Sequence, residues 1–326
     1  MRQFIRGTTL IALGLLTALT HLAHAQTKDV WPSKPIRVVV PFAPGSFTDT
    51  AARTVGAELA LQLGQPIVVE NKGGAGSTLG TDFVAKAAPD GYTFLVTDNS
   101  FAVSAALYDK LPYQPKDLAQ VSLLADAPAV LVARPNLAAK TLKEVVSMAR
   151  ANPGKMTFGS GGQGSSAHLA MEAFLLENKL EMTHIPFKGI AAAMVDVAAG
   201  RVDIAIGSVG STSAYIKDGR LLGLAVSGTK RQDIFPNVPT FTEAGYPNYN
   251  MTYWFGMMAP AGTPADIVKR MQKAIASSVT NAKVKEVFGA AGVRPIATTP
   301  AAFTKMVQTE TTLWSEVIQR AKIKPE

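Results

Sequence analysis

Short runs of β-branched residues alternate with helical stretches along almost the whole of this 326-residue chain, and several runs end in glycine-rich turns. That order predicts an α/β fold with mostly parallel strands, because parallel neighbours need a crossover and a helix supplies it. The clearest instance is Ile36 to Thr50. Ile36-Arg37-Val38-Val39-Val40 reads as a buried strand and Pro44-Gly45 as its turn. Ser46 or Thr48 can cap a helix whose apolar positions Ala52, Val55, Leu59 and Leu63 recur every three or four residues. Such a turn points free N–H groups and a positive helix end at the mouth of the strand, which predicts a bound anion.

Further strands are expected at Ile67–Glu70, Tyr92–Val96, Ala129–Ala133, Met156–Ser160, Met182–Pro186, Asp203–Ile206, Leu222–Ser227 and Trp254–Ala259. Helices are expected at Thr48–Leu63, Ser77–Lys86, Leu142–Asn152, Leu169–Asn178, Ile190–Ala199, Pro264–Asn281 and Pro300–Ile323. Two strand-like runs, Ala129–Ala133 and Tyr253–Ala259, can carry the chain out of one lobe and back. The expected division is therefore one lobe of residues 27–128 plus 251–326 and a second of 129–250.

Arg2 and Arg6, the apolar run from Thr8 to Thr20 and Ala23-His24-Ala25 form a secretory signal, residues 1–25, with cleavage expected before Gln26. Gly14 and the threonines interrupt a run already short for a membrane anchor. The mature chain should be periplasmic. Losing Arg2 and Arg6 lowers the formal charge from +8 to +6. The remaining basic residues are dispersed and aromatics make up only 7%, a pattern unlike a nucleic-acid binder. With no cysteine, the chain has no disulfide framework, thiol nucleophile or thiolate metal site. Its stability must come from a large core, which its 47% apolar content can supply.

A second strand–glycine–helix turn runs from Phe158 to His168. Gly159, Gly161 and Gly164 match a dinucleotide spacing, yet no acidic residue ends a following strand to take the ribose. An anion-binding turn is the better reading, and no cofactor is expected. Ser165 and His168 could form a nucleophile–base pair, but no G-x-S-x-G elbow or acidic partner accompanies them. Two mature-chain histidines, His168 and His184, without acidic neighbours at ligand spacing do not make a metal site. The turn Glu70 to Ser77 lacks the lysine of a phosphate loop. Other polar turns are Thr97-Asp98-Asn99-Ser100, Pro186-Phe187-Lys188-Gly189, Gly200-Arg201-Val202-Asp203 and Gly207-Ser208-Val209-Gly210-Ser211. Asp203 reads equally as an inward polar group or as a strand-start cap. Ligands of open α/β sheets bind beyond the carboxyl ends of strands, so these turns describe a binder with no catalytic constellation.

The motifs that follow one another here are Trp31-Pro32-x-Lys34-Pro35-Ile36, Pro41-Phe42-x-Pro44-Gly45-x-x-x-Asp49 and Val69-Glu70-Asn71-Lys72-x-Gly74-Ala75-Gly76. Then come Gly164-Ser165-x-x-His168-Leu169-Ala170-x-Glu172, Pro186-Phe187-Lys188-Gly189, Gly200-Arg201-Val202-Asp203 and Pro236-x-Val238-Pro239-Thr240-x-x-Glu243-x-Gly245. Trp254-x-Gly256 and Pro260-Ala261-Gly262-Thr263-Pro264 complete the set. In this order they resemble the periplasmic solute-binding proteins of tripartite tricarboxylate transporters, the Bug family.

The resemblance implies a type II periplasmic-binding-protein fold, with two lobes of mostly parallel sheets closing on a ligand cleft. It implies a small carboxylate ligand, an aromatic acid or a dicarboxylate such as terephthalate among the candidates, delivery to the membrane subunits of the transporter, and a monomer that is not an enzyme. Gly45, Ser46, Phe47, Thr48 and Asp49 would face the carboxylate on one side, with Asp49 holding the turn or a water. The opposing side would contribute Ser160, Gly161, Gln163, Gly164, Ser165, His168, Lys188, Asp203 and Ser208, and Asn99 is a further candidate. Family members usually carry two glycines after the proline; here Gly45-Ser46 precedes a bulky Phe47. If Phe47 borders the seat, a flat aromatic acid such as terephthalate is favoured; if it packs inward, that preference vanishes. Alternatives from other classes are a ligand-presenting sensory co-receptor and a secreted hydrolase using Ser165 and His168.

Overall fold

Two sets of strands flank a pair of long central strands. The computed structural model describes residues 31–321, 323 and 324, so the expected signal and its cleavage point lie outside the described residues. β1 (Ile36–Val40) lies between β2 (Ile67–Asn71) and β3 (Thr93–Asp98), parallel to both. β5 (Thr157–Ser160) likewise lies between β6 (Thr183–Pro186) and β7 (Ile204–Ser208), again parallel. Between these sets run β4 (Leu118–Ala133) and β9 (Thr252–Pro260), giving the order β2-β1-β3-β9-β4-β7-β5-β6.

The centre departs from the parallel expectation. β9 is antiparallel to β3 and β4, and β4 is antiparallel to β7, to β8 (Leu222–Val226) and to β10 (Arg294–Pro295). Over Leu118–Pro128 β4 pairs with β9, and over Ala129–Ala133 it pairs with β7 and β8. One strand therefore serves both sets. Its first part is longer than expected because Gln120, Ser122 and Asp126 break the apolar run, while register shifts beside Ser122 and Ala125 absorb the irregularity.

The helices are α1 (Phe47–Leu63), α2 (Thr78–Ala85), α3 (Ser100–Leu107), α4 (Leu142–Ala151), α5 (Ser166–Asn178) and α6 (Ile190–Ala198), followed by α7 (Val209–Lys217), α8 (Ala265–Ser278), α9 (Ala282–Ala290) and α10 (Pro300–Ala321). Buried apolar clusters among the described residues hold the layers together. One contains Val39, Leu95, Phe101, Trp254, Met258 and Phe303; another contains Val130, Met194, Val197, Ala205, Val226 and Phe235. Gly256 in β9 lacks a side chain because the Phe303 ring of α10 occupies that space, where it meets Trp254 edge-on at 5.2 Å. No helix among the described residues is long and apolar enough to cross a membrane.

Candidate functional site

Helices α1, α3, α5 and α7 start directly beyond β1, β3, β5 and β7, and their first residues meet around one small cavity. Serine caps fix three of these starts. Ser46 Oγ accepts from the Asp49 N–H at 3.2 Å, Ser165 Oγ from His168 at 3.3 Å and Ser208 Oγ from Ser211 at 3.3 Å. At the fourth, Asp98 Oδ1 accepts from the Ser100 N–H at 2.8 Å. The walls carry the hydroxyls of Ser46, Thr48, Ser100, Ser165, Ser166, Ser208 and Ser211, with Gly161, Ile190, Phe42 and Phe255 between them.

No lysine or arginine among the described residues lines this cavity. An anion would be held by helix ends, N–H groups and hydroxyls instead of a full counter-charge. Tyr253 lines it too, and its hydroxyl is buried with no hydrogen bond of good geometry among the described residues, although the Ser166 hydroxyl acts on it. Burial pushes the Tyr253 pKa well up, so it remains a neutral donor. A donor left short of a good bond in that position fits a ligand oxygen that completes it. A wider groove, lined by Leu142, Leu222, Phe235 and Val238, lies against the start of α4 and β8. Its walls bring together no comparable set of helix starts, so the narrower cavity is the better candidate.

The first turn is built as its sequence suggests. Gly45 adopts φ +90°, a conformation that favours glycine, and its N–H faces Asp49 Oδ2 at 3.4 Å. Burial opposes the Asp49 charge, but hydrogen bonds from Arg53, Asn71 and Gly45 hold the carboxyl below its usual range. Asn71 also donates to Phe42 O at 3.1 Å, tying the end of β2 to this turn. Asp49 thus braces the loop and does not line the cavity. Phe47 points inward, 2% exposed, with its ring 4.9 Å from Phe255 and 5.2 Å from Phe288.

In the second turn Ser160 Oγ lies 2.6 Å from His184 Nε2 and accepts from Gly162 N–H at 3.1 Å. The Gly164 N–H points at His168 Nδ1 at 3.3 Å, which leaves Nε2 facing Glu172 at 3.7 Å. His168 lies flat on His184, centroids 4.1 Å apart, and His184 lies flat on Phe158. Burial pulls the His168 pKa down to about 3, helped by His184, and burial alone pulls His184 down to about 4. Ser165 Oγ meets the backbone N–H of His168, not its ring, so the pair lacks nucleophile–base geometry.

Five of the expected residues, Ser46, Thr48, Gly161, Ser165 and Ser208, come together on the cavity wall. Others stand elsewhere. Asp203, at the opposite end of β7, accepts from Arg134 Nε and the Thr157 N–H at 2.9 Å each, joining strands away from the cavity wall. Asn99 is pinned by Trp254, Thr252 and Glu310. Gln163 donates to Lys324 O at 3.1 Å, and Lys188 is exposed on the turn before α6. Asp98 and Ser100 belong to the Thr97–Ser100 turn, whose side chains the sequence offers either to a ligand or to the turn itself, and Ser211 belongs to the Gly207–Ser211 turn; Ser166 and Tyr253 carry no such sequence signal. What these five share is position: each lies within a few residues of a strand end, or on β9, facing the turns already identified.

An α/β sheet crossed by two shared strands, with helix starts ringing one cavity, defines a solute-binding protein of the type II periplasmic class. Residues 51–323 match the model of the "Tripartite tricarboxylate transporter family receptor", and the chain belongs to that family. It is 37% identical over 320 residues to protein BugT of Bordetella pertussis, covering 97% of this chain and 98% of that one. The fold is similar to MatC of Rhodopseudomonas palustris with bound malate, at TM-score 0.84 and 32% identity, covering 88% of this chain and 100% of that one. It is also similar to an R. palustris protein with adipate, at TM-score 0.87 and 30% identity, covering 91% of this chain and 100% of that one.

Proposed function

We propose that this chain captures a small carboxylate in the cavity ringed by α1, α3, α5 and α7 and delivers it to the membrane subunits of a tripartite tricarboxylate transporter. The observation that carries this reading is the convergence of capped helix starts and the incompletely bonded Tyr253 hydroxyl on a cavity lined by no lysine or arginine among the described residues. Malate and adipate in two similar proteins support a small aliphatic acid. The aromatic acid suggested by Phe47 loses its physical basis, because that ring is core.

In the same proposal the lobes are residues 27–128 plus 251–326 and residues 129–250, with β4 and β9 as the connection about which they close. An apolar cluster within each proposed lobe and the split pairing of β4 support that division. Closure would exclude water from the carboxylate and present a changed surface to the transporter. The test is a thermal-shift screen with mono-, di- and tricarboxylates, followed by titration calorimetry on Ser46→Ala and Ser165→Ala. A stabilising carboxylate whose affinity falls in both variants supports the proposal. No shift with any carboxylate, or turnover of an ester, overturns it.

A further inference from the structure

Six large apolar side chains stand exposed among the described residues, and three of them, Val68, Leu79 and Phe83, fall on one patch. Val68 lies on β2 beside Arg37 of β1. Side chains two apart on a strand share a face, so Val68 and Glu70 look the same way as Arg37 and Val39. Val39 packs with Val84 of α2, which makes that face the one α2 covers. Leu79 and Phe83, four residues apart on α2, turn to a common side. Arg37 and Lys72 lie over the Phe83 ring at 5.8 and 4.5 Å. Both also reach Glu70, at 3.2 and 3.8 Å, so two cations share one carboxylate beside an exposed ring. β2 is the end strand of the sheet, and no strand among the described residues pairs with its outer edge. Such an edge offers N–H and C=O groups to a further strand. The patch also adjoins the place where the proposed lobes touch. Leu79 lies beside Gly74, the first of four successive residues at positive φ, Gly74 to Ser77, and Gly76 in that run abuts the Gln163 carbonyl beyond β5.

We infer that this patch is the docking surface for the membrane subunits of the transporter. An extended, largely apolar segment of a subunit adds a strand to the outer edge of β2, covers Val68, Leu79 and Phe83, and sets a carboxylate against Arg37 and Lys72. The inference rests on the delivery reading above and adds the surface through which delivery is made. Charges along an edge strand also discourage aggregation, and Glu70 and Lys72 serve that end. They give no reason for three large apolar side chains to stand in water around them, whereas an interface does. Position favours the same partner. A segment seated here meets the Gly74–Ser77 loop, which the second proposed lobe braces, so closure on a ligand would alter what that segment touches.

The chain contains no cysteine, so one introduced cysteine can carry a photo-crosslinker at a single known place. Val68→Cys is compared with Val195→Cys on α6 and Leu313→Cys on α10, two other exposed apolar positions. Each chain is labelled with benzophenone maleimide and added to proteoliposomes that hold the membrane subunits, with malate and adipate present. Illumination should join the Val68→Cys chain to a membrane subunit, identified by mass spectrometry, with a yield about tenfold above that of the other two. Adding Leu79→Ser and Phe83→Ser to the Val68→Cys chain should cut that yield about tenfold, and adding Lys72→Gln about threefold. Val68, Leu79 and Phe83 are exposed, so the melting temperature should change by only a few degrees. Crosslinks from the Val195→Cys or Leu313→Cys chain alone would overturn the inference. So would a Val68→Cys yield that survives the added substitutions, or no crosslink from any of the three. If the unlabelled chain also fails to float with the proteoliposomes, the delivery reading falls as well; if it floats, docking occurs on another surface and only the inference falls.

Discussion

The ring of Phe47 lies directly over Gly210, so close that a Cβ on the glycine would overlap it. Phe47 opens α1 and Gly210 lies in the first turn of α7, so the pair joins two of the helix starts around the cavity. The Phe47 N–H also faces Ser211 Oγ at 3.4 Å. Gly210→Ala should destabilise the protein by about 1–3 kcal/mol through overpacking. Phe47→Ala should cost about 3–5 kcal/mol through the void it leaves beside Phe255 and Phe288. In the double variant the Gly210→Ala penalty should shrink, because the overlapping ring is gone and only the Val293 methyl must still give way. Urea unfolding of the four proteins measures the coupling; additive losses would mean the helix start shifts to admit the methyl.

Gly45→Val should weaken ligand binding at least tenfold. At φ +90° a β-branched residue is strained, and relief of that strain turns the Gly45 N–H away from Asp49 and unbinds the loop that α1 begins from. Calorimetry with a confirmed carboxylate measures it. A change of less than twofold would put the anion seat somewhere other than the first turn.

Legibility in the sequence followed local rules closely. β1 occupies Ile36–Val40 as expected, because five residues with β-branched majority and a proline–glycine stop leave little freedom. Ser46, Ser165 and Ser208 all proved to be helix caps, which is why the cavity wall could be read in part. The misses have tertiary causes. α3 is buried on nearly every face, so Ser100–Leu107 shows no amphipathic period that would reveal a helix in the sequence. α7 begins with Val209-Gly210-Ser211, which reads as a turn until the Phe47 ring explains the glycine. Asn281 was read as the end of one helix, although it caps the next by accepting from the Lys283 N–H at 2.7 Å. Phe47 and Asp203 mark the limit for the site: both neighbour turns in sequence, and only packing reveals that one faces the core and the other the far end of β7.

Gly76→Ala should reduce affinity more than stability. Gly76 follows β2 and packs on the Gln163 carbonyl oxygen beyond β5, where an added Cβ would overlap it. Its φ of +59° is one that alanine adopts at a cost of about 1–2 kcal/mol. If the proposed lobes separate without ligand, that overlap is felt only on closure. Affinity should then fall about tenfold or more while the unliganded melting temperature changes by a few degrees. A large drop in melting temperature with unchanged affinity would show that the contact does not open.

The stacked histidines predict how stability responds to acid. Unfolded, each imidazole has an ordinary pKa near 6.5. Folded, burial lowers His168 to about 3, with help from His184, and lowers His184 to about 4. Between pH 6.5 and 4 the unfolded state therefore binds protons that the folded state refuses, and stability falls as the pH falls. Below the folded values both states are protonated and the loss levels off. Asp98, Glu172 and Glu310 act in the opposite sense, because burial raises their pKa and the folded state holds those protons longer. The histidine contribution must be isolated by difference. His184→Gln retains a polar partner for Ser160 and removes one titrating ring from the stack. From pH 7.5 to pH 4.5 the wild type should lose more stability than the variant, by roughly 1–2 kcal/mol once the solvent screening of a partly exposed ring is included. Parallel pH profiles for the two proteins would mean that His184 takes up its proton in the folded state at an ordinary pH.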